Sequence, residues 1–164
     1  LSIAQKIGIN IRESLLCLSK YKYPSHRIEK FKQQNNISWY NDSKSTNVAS
    51  TIAAIEYLEN NIILIMGGSK KELDYKELND FIDQRLKLII LMGENKDIIK
   101  DQIHVNIPII SADSLGDAIC IAHKNAKPLD KVVLSPASPS FDMFQDFEDR
   151  GKNFINQVNK IVKP

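Results

Sequence analysis

The sequence predicts an α/β domain of Rossmann-like, three-layer build, with a mostly parallel sheet entered through an N-terminal β-hairpin. Apolar runs of strand length recur at 62–66, 87–92 and 132–134. They are continuous rather than alternating, as in strands covered by helices on both faces. Segments of helical period separate them, so the order from Ile62 onward is β-α-β-α-β-α-β-α, which calls for a parallel sheet with right-handed crossovers. Upstream, the turn-like Gln34-Asn35-Asn36 divides strands at 28–33 and 37–40, which predicts the hairpin.

In chain order, residues 1–20 read as a helix, a turn at Gly8-Ile9-Asn10, and a second helix over 11–18 with Leu15, Leu16 and Leu18 on its apolar face. Pro24 and the residue before it disfavour helix, so 21–25 reads as a linker and the first stretch as the edge of a preceding domain. The boundary is set between 1–23 and 24–164. The chain opens on Leu, directly in an amphipathic pattern, which suggests a piece of something longer.

After the hairpin, a helix over 48–59 aligns Val48, Ile52, Ile55 and Leu58 on one stripe. Ser45, Thr46 or Asn47 could cap it. Strand 62–66 is closed by Gly67-Gly68, a pair that permits a tight turn and close backbone approach. A helix is expected from about 75 to 84, a strand at 87–92, and a short helix near 95–100. Residues 105–110 read as an edge strand, because Pro108 lacks a donor. Asp113 or Ser114 can cap the helix that runs to about Asn125, packed through Leu115, Ala118, Ile119 and Ala122.

The last strand ends in the polar loop 135–140. Phe141, Phe144 and Phe147 follow at spacing three, able to form one aromatic stripe, in which Phe144 reads as core. Phe154, Ile155, Val158 and Ile161 form the face of the terminal helix. Arg150, beside Glu148 and Asp149, reads as a structural ion-pair residue.

Composition narrows the function. A chain of 164 residues is one ordinary domain, able to bury roughly 68–70% of its extended surface without disulfides or metal. A net charge of +2, with basic residues spread along the chain, argues for neither nucleic acid nor an anionic membrane. No apolar run approaches the roughly 20 residues of a membrane span, and no signal-peptide pattern opens the chain. Cys17 and Cys120 lie among apolar helical neighbours and read as buried free thiols, so a cytoplasmic protein is expected. No Cys/His spacing suggests a metal site. The Gly-x-Gly-x-x-Gly and Walker motifs are both absent.

The chemistry gathers at strand ends. Trp39-Tyr40 leads into Asn41-Asp42-Ser43-Lys44-Ser45-Thr46-Asn47, which puts a carboxylate, an ammonium and several hydroxyls where a strand passes into a helix. Open α/β sheets bind ligands there, and the N-H groups of the following helix suit a phosphorylated one. This loop closely resembles the Asp-Ser-Lys-(Ala/Gly)-Thr-Asn signature of the Mur ligases, in the form carried by the branch that adds D-glutamate. Pro24-Ser25-His26-Arg27-Ile28-Glu29 matches as well. So do Gly67-Gly68-Ser69-Lys70-Lys71 with Leu73-Asp74-Tyr75, the stretch from Leu134 to Phe144, and Phe147-Glu148-Asp149-Arg150-Gly151. Ser45 stands where Ala or Gly is common, and Ser138-Pro139 where Cys-Ala is common.

The resemblance covers essentially the whole chain. It implies the C-terminal domain of an ATP-dependent, amide-forming ligase of peptidoglycan precursor synthesis, behind the last helices of a central domain. In that family ATP phosphorylates the carboxylate of UDP-N-acetylmuramoyl-L-alanine, and the amine of D-glutamate displaces phosphate. Carried over by motif, Arg27, Asp42 and Lys44 would contact the nucleotide. Thr46, Lys71 and Ser140, with the Phe141 N-H and the Phe147 ring, would contact the D-glutamate part. Lys70 competes with Lys71 by a one-residue slip. No catalytic residue is assigned here. The P-loop and the Mg2+ ligands are expected in the central domain, so this piece is expected to be inactive alone; its partners would be its own central and N-terminal domains. The alternatives are a Mur-type ligase with another amino acid specificity and a non-catalytic nucleotide-binding module of the same fold.

Overall fold

In the computed structural model, which describes residues 2–20, 24–71, 73–82 and 84–163, the sheet order is β1-β2-β6-β3-β4-β5. The strands are β1 (Glu29–Gln34), β2 (Ile37–Asn41), β3 (Ile62–Met66), β4 (Leu86–Leu91), β5 (Ile109–Ser111) and β6 (Lys131–Leu134). Only the hairpin pair β1–β2 is antiparallel; the other pairings are parallel. The predicted mixed sheet with its N-terminal hairpin is therefore the observed one.

Strand residues alternate between two cores, which makes the three layers. Trp39, Ile63, Ile65, Leu88, Ile90, Val132 and Leu134 face α6 (Leu115–Asn125) and α7 (Phe147–Ile161). Ile62, Leu64, Met66, Ile89, Leu91 and Val133 face α3 (Val48–Leu58), α4 (Asn79–Ile82) and α5 (Lys96–Gln102). The three central strands β3, β4 and β6 are covered on both sides, which is why they read as unbroken apolar runs. Asn47 caps α3 by accepting from Ser50 N, and Ser114 caps α6 by accepting from Asp117 N, so the open choices at both helix starts are settled.

Several expectations are corrected. Residues 105–108 are not strand, and β5 keeps only Ile109–Ser111 at the sheet edge. The helix expected over 75–84 is a 3-10 turn (Lys76–Leu78) followed by the short α4. Tyr75, just before that turn, donates its N-H to Gln102 Oε1 (2.7 Å). Cys17 is exposed and Cys120 half-buried, both free thiols.

At the N-terminus, α1 (Ser2–Lys6) and α2 (Ile11–Ser19) form as predicted but bury no residue. Ile3, Ile7, Leu15, Leu16 and Leu18 are exposed. Tyr21, Lys22 and Tyr23, where the linker and the domain boundary were expected, lie outside the described residues. No helix among the described residues is long and apolar enough to cross a membrane.

Candidate functional site

Because β2, β6, β3, β4 and β5 run parallel, their C-terminal ends share one edge of the sheet. The chain proceeds from β3 outward through β4 to β5, then returns to place β6 on the other side of β3. This reversal is the topological switch point at which such sheets open a ligand crevice. The loop after β3, with Gly67-Gly68, and the loop after β6, with Ser135 to Ser140, flank it.

Three sets of buried polar contacts fix these loops. Asp42, 1% exposed at the tip of β2, accepts from Ile28 N (3.1 Å), Ser45 Oγ (2.6 Å) and Ser135 Oγ (2.7 Å). It thereby holds the hairpin entry, its own loop and the β6 loop together. Burial pushes its carboxyl above the ordinary 3.8, while the bonds from Ser45, Ser135 and Ile28 and the charge of Arg27 pull the other way.

Asn95 is the second hub. Its Oδ1 accepts from Gly68 N (2.8 Å), and its Nδ2 donates to Tyr75 Oη and Ser138 Oγ (both 2.7 Å). Those two hydroxyls are themselves 2.8 Å apart, and burial pushes the Tyr75 hydroxyl up. The loops need this proximity. A Cβ on Gly68 would stand 2.1 Å from the Pro139 carbonyl oxygen, and Gly67 has φ +110° with Met92 O equally close to its missing Cβ (2.0 Å). Asp142 adds a further tie, accepting from Ser69 Oγ (3.3 Å) and Glu94 N (3.3 Å).

Arg150 is the third. Its side chain is fully buried and makes no ion pair with Glu148 or Asp149. Nε and Nη2 donate to Ser43 Oγ and Ser43 O (2.9 Å each), while Nη1 donates to Ser138 O (3.0 Å) and Pro139 O (3.2 Å). Desolvation lowers its pKa to about 10 against the opposing charge of Asp142. The ion-pair reading fails because neighbours one or two apart on a helix point different ways. Glu148 reaches Lys152 instead (3.6 Å), and Asp149 accepts from Asn153 Nδ2 (2.8 Å).

Around this frame the predicted ligand-contacting residues take distinct places. Arg27 is exposed and lines a concavity of about 430 Å³ with Pro24, Ile28, Glu29 and Tyr57. Lys44 is exposed with its Nζ 5.2 Å above the centroid of the Phe147 ring, a cation–π contact. Both line a concavity of about 350 Å³ with His26, Glu148 and Lys152. Thr46 is half-buried, and its N-H donates to Lys44 O (2.9 Å). Ser140 is buried, its carbonyl accepting from Met143 N and Phe144 N. Phe141 beside it is 74% exposed. Lys71 and Lys70 are both exposed and line a third depression, about 680 Å³, with Leu73, Asp74, Ile98 and Gln102.

The edge thus brings Lys44 to Phe147, and Asp42 to the Arg27 segment, whereas Lys71 lines neither of their concavities. The aromatic stripe is broken: residues 141–146 are not helical, Phe144 packs on the core as expected, and α7 starts at Phe147 behind its Asp146 cap.

Sequence reasoning missed Arg150, Asn95, Tyr75 and the pairing of Asn41 Nδ2 with His26 Nδ1 (2.7 Å). For Arg150 a signal existed: it lies four residues before Phe154 and eight before Val158, on the buried face of α7. Asn95 carried no such mark.

Arg27 and Lys44 are thus exposed cations beside two concave walls. Among the described residues, no group of three or more His, Cys, Asp or Glu side chains could hold a metal ion.

The family model for the Mur ligase glutamate ligase domain matches residues 26–138. A UDP-N-acetylmuramoylalanine–D-glutamate ligase of Acinetobacter baylyi is 36% identical over 99% of this chain and 38% of its own length. The corresponding ligase of Legionella pneumophila is 37% identical over 98% of this chain and 37% of its own. The chain therefore spans a little over a third of the length of the curated relatives it matches. Among solved structures, a UDP-N-acetylmuramate-alanine ligase from Thermotoga maritima superposes with TM-score 0.66 at 9% identity, covering 97% of this chain and 36% of that one. A murein peptide ligase from Psychrobacter arcticus gives 0.62 at 15% identity over 99% of this chain and 36% of its own. At such identities the likeness shows the fold.

Proposed function

The chain belongs to the Mur ligase family, as its glutamate ligase domain, and from that premise we propose that it is the C-terminal domain of an ATP-dependent ligase. The complete enzyme joins D-glutamate to UDP-N-acetylmuramoyl-L-alanine in peptidoglycan precursor synthesis. The observation that carries this reading is near-complete coverage, at 36–37% identity, by relatives that are D-glutamate ligases. The geometry is compatible: the motif residues lie along the sheet edge that opens a crevice in folds of this kind.

In this reading ATP activates the muramoyl-alanine carboxylate as an acyl phosphate, and the D-glutamate amine displaces phosphate. The residues of this domain bind and orient. Arg27 and Lys44 meet the nucleotide, while Asp42, its oxygens engaged by three protein donors, fixes the loop that carries Lys44. A dicarboxylate amino acid needs cations, hydroxyls and N-H groups, and Lys71, Thr46, Ser140 and the Phe141 N-H supply them, with the Phe147 ring as an apolar wall. Lys71 lies on an exposed loop, so this arrangement requires the loop or a facing domain to carry it toward the Ser140 side. The P-loop, the Mg2+ ligands and the nucleotide-sugar site belong to the domains that complete the enzyme, and residues 1–23 would join this domain to the central one.

The test is phosphate release by the full-length protein supplied with ATP, Mg2+, UDP-N-acetylmuramoyl-L-alanine and a panel of amino acids. Release that depends on D-glutamate above L-glutamate, L-alanine, L-lysine and diaminopimelate is expected. Preference for another amino acid would move the chain to a different branch of the family.

A further inference from the structure

We propose that Arg150 is a positioning residue that locks the loop carrying Lys44 to the loop carrying Ser140, so that one guanidinium sets both ends of the ligand cleft. The inference deepens the ligase reading and rests on it. Four hydrogen bonds leave this side chain, two to Ser43 on the β2 tip and two to the carbonyls of Ser138 and Pro139 after β6. Lys44 is the next residue after the first anchor, and Ser140 the next after the second. Ser43 Oγ in turn donates to Phe147 O (2.8 Å), which ties in the start of α7, whose first ring lies under Lys44.

Geometry explains the choice of residue. A rigid planar fork with five N-H donors can reach two loops at fixed angles, whereas a lysine ammonium cannot. Filling the space between α7 and the sheet would be served better by an apolar side chain, because burying a guanidinium is costly. The Arg150 bonds end on neutral oxygens, and no ion pair found among the described residues includes it. Asp142 is the opposing charge that acts on it, without forming an ion pair, so the guanidinium serves chiefly as a fixed set of donors between the two loops.

The experiment uses the full-length enzyme with Arg150→Lys and Arg150→Met, measuring KM for ATP, KM for D-glutamate and kcat. Loss of the bridge is expected to raise both KM values by about tenfold, the scale of one or two lost charge-assisted bonds. A role confined to folding would reduce the active fraction, lower kcat and leave both KM values unchanged, and that result would overturn the inference. A rise in only one KM would overturn it too. Should Arg150→Met fail to fold, Arg150→Lys decides.

If the wild-type enzyme shows no amino-acid-dependent phosphate release, the ligase reading fails on its own account. The bridge is then read by amide hydrogen exchange in the full-length protein. Faster exchange at both 43–46 and 138–141 in Arg150→Lys supports it, and unchanged exchange in either segment overturns it.

Discussion

Replacing Asn95 by Ala removes the junction beneath the Gly67-Gly68 turn. Asn95 is fully buried and makes three side-chain bonds, to Gly68 N (2.8 Å), Tyr75 Oη (2.7 Å) and Ser138 Oγ (2.7 Å). The three losses are unequal. Tyr75 and Ser138 keep each other as partners at 2.8 Å, so their two lost bonds cost about 1–1.5 kcal/mol together. Gly68 N-H is left buried with no alternative acceptor among its recorded contacts, a penalty of about 1–3 kcal/mol. The sum is about 2–4 kcal/mol, which for a domain of this size lowers the melting temperature by about 5–15 °C. Urea unfolding of this chain, wild type against Asn95→Ala, measures it. A loss below about 1 kcal/mol would refute the reasoning, because the turn would then be holding itself. In a double-mutant cycle with Ser138→Ala, coupling should appear between the two positions.

Two further outcomes follow from the same frame. Gly68→Ala drives a methyl toward Pro139 O, which cannot retreat without breaking its bonds from Ser69 N and Arg150 Nη1. A loss of about 2–4 kcal/mol in unfolding free energy is expected, and a loss within experimental error would contradict the close approach. Asp42 gives a pH signature. A carboxyl whose pKa is raised on folding binds its proton more tightly in the folded state, so this group favours folding below 3.8 and loses that contribution as pH rises through the raised value. Asp42→Asn should therefore gain stability relative to wild type as pH climbs, measured by denaturant unfolding from about pH 4 to pH 8, and a flat difference would exclude it.

Much of this architecture is legible in the sequence. The unbroken runs that became β3, β4 and β6 announced strands covered on both faces, and Gln34-Asn35-Asn36 announced the hairpin turn. The polar strand tips were legible because their residue types have no place in a core. What escaped were features set by tertiary partners. Tyr75 precedes a 3-10 turn instead of opening a long helix, tied by its N-H to Gln102 and by its hydroxyl to Asn95 and Ser138, and Phe141 leaves the aromatic stripe because Asp146 starts α7 late. Arg150 was misread for a related reason: charged sequence neighbours suggested pairing, whereas helical geometry turns it inward to carbonyls on two other loops. Asn95 is a lone amide after Gly93, and its three partners come from loops far away in sequence.

If these strand tips form one cleft for an anionic amino acid and a nucleotide, the KM for D-glutamate of full-length Lys71→Ala, set beside Lys70→Ala, will report it. The two lysines line the same depression, so only their roles separate them. A rise of about tenfold or more is expected for Lys71→Ala, the scale of one lost charge-assisted contact, with near wild-type behaviour for Lys70→Ala. Unchanged D-glutamate kinetics in Lys71→Ala would contradict it.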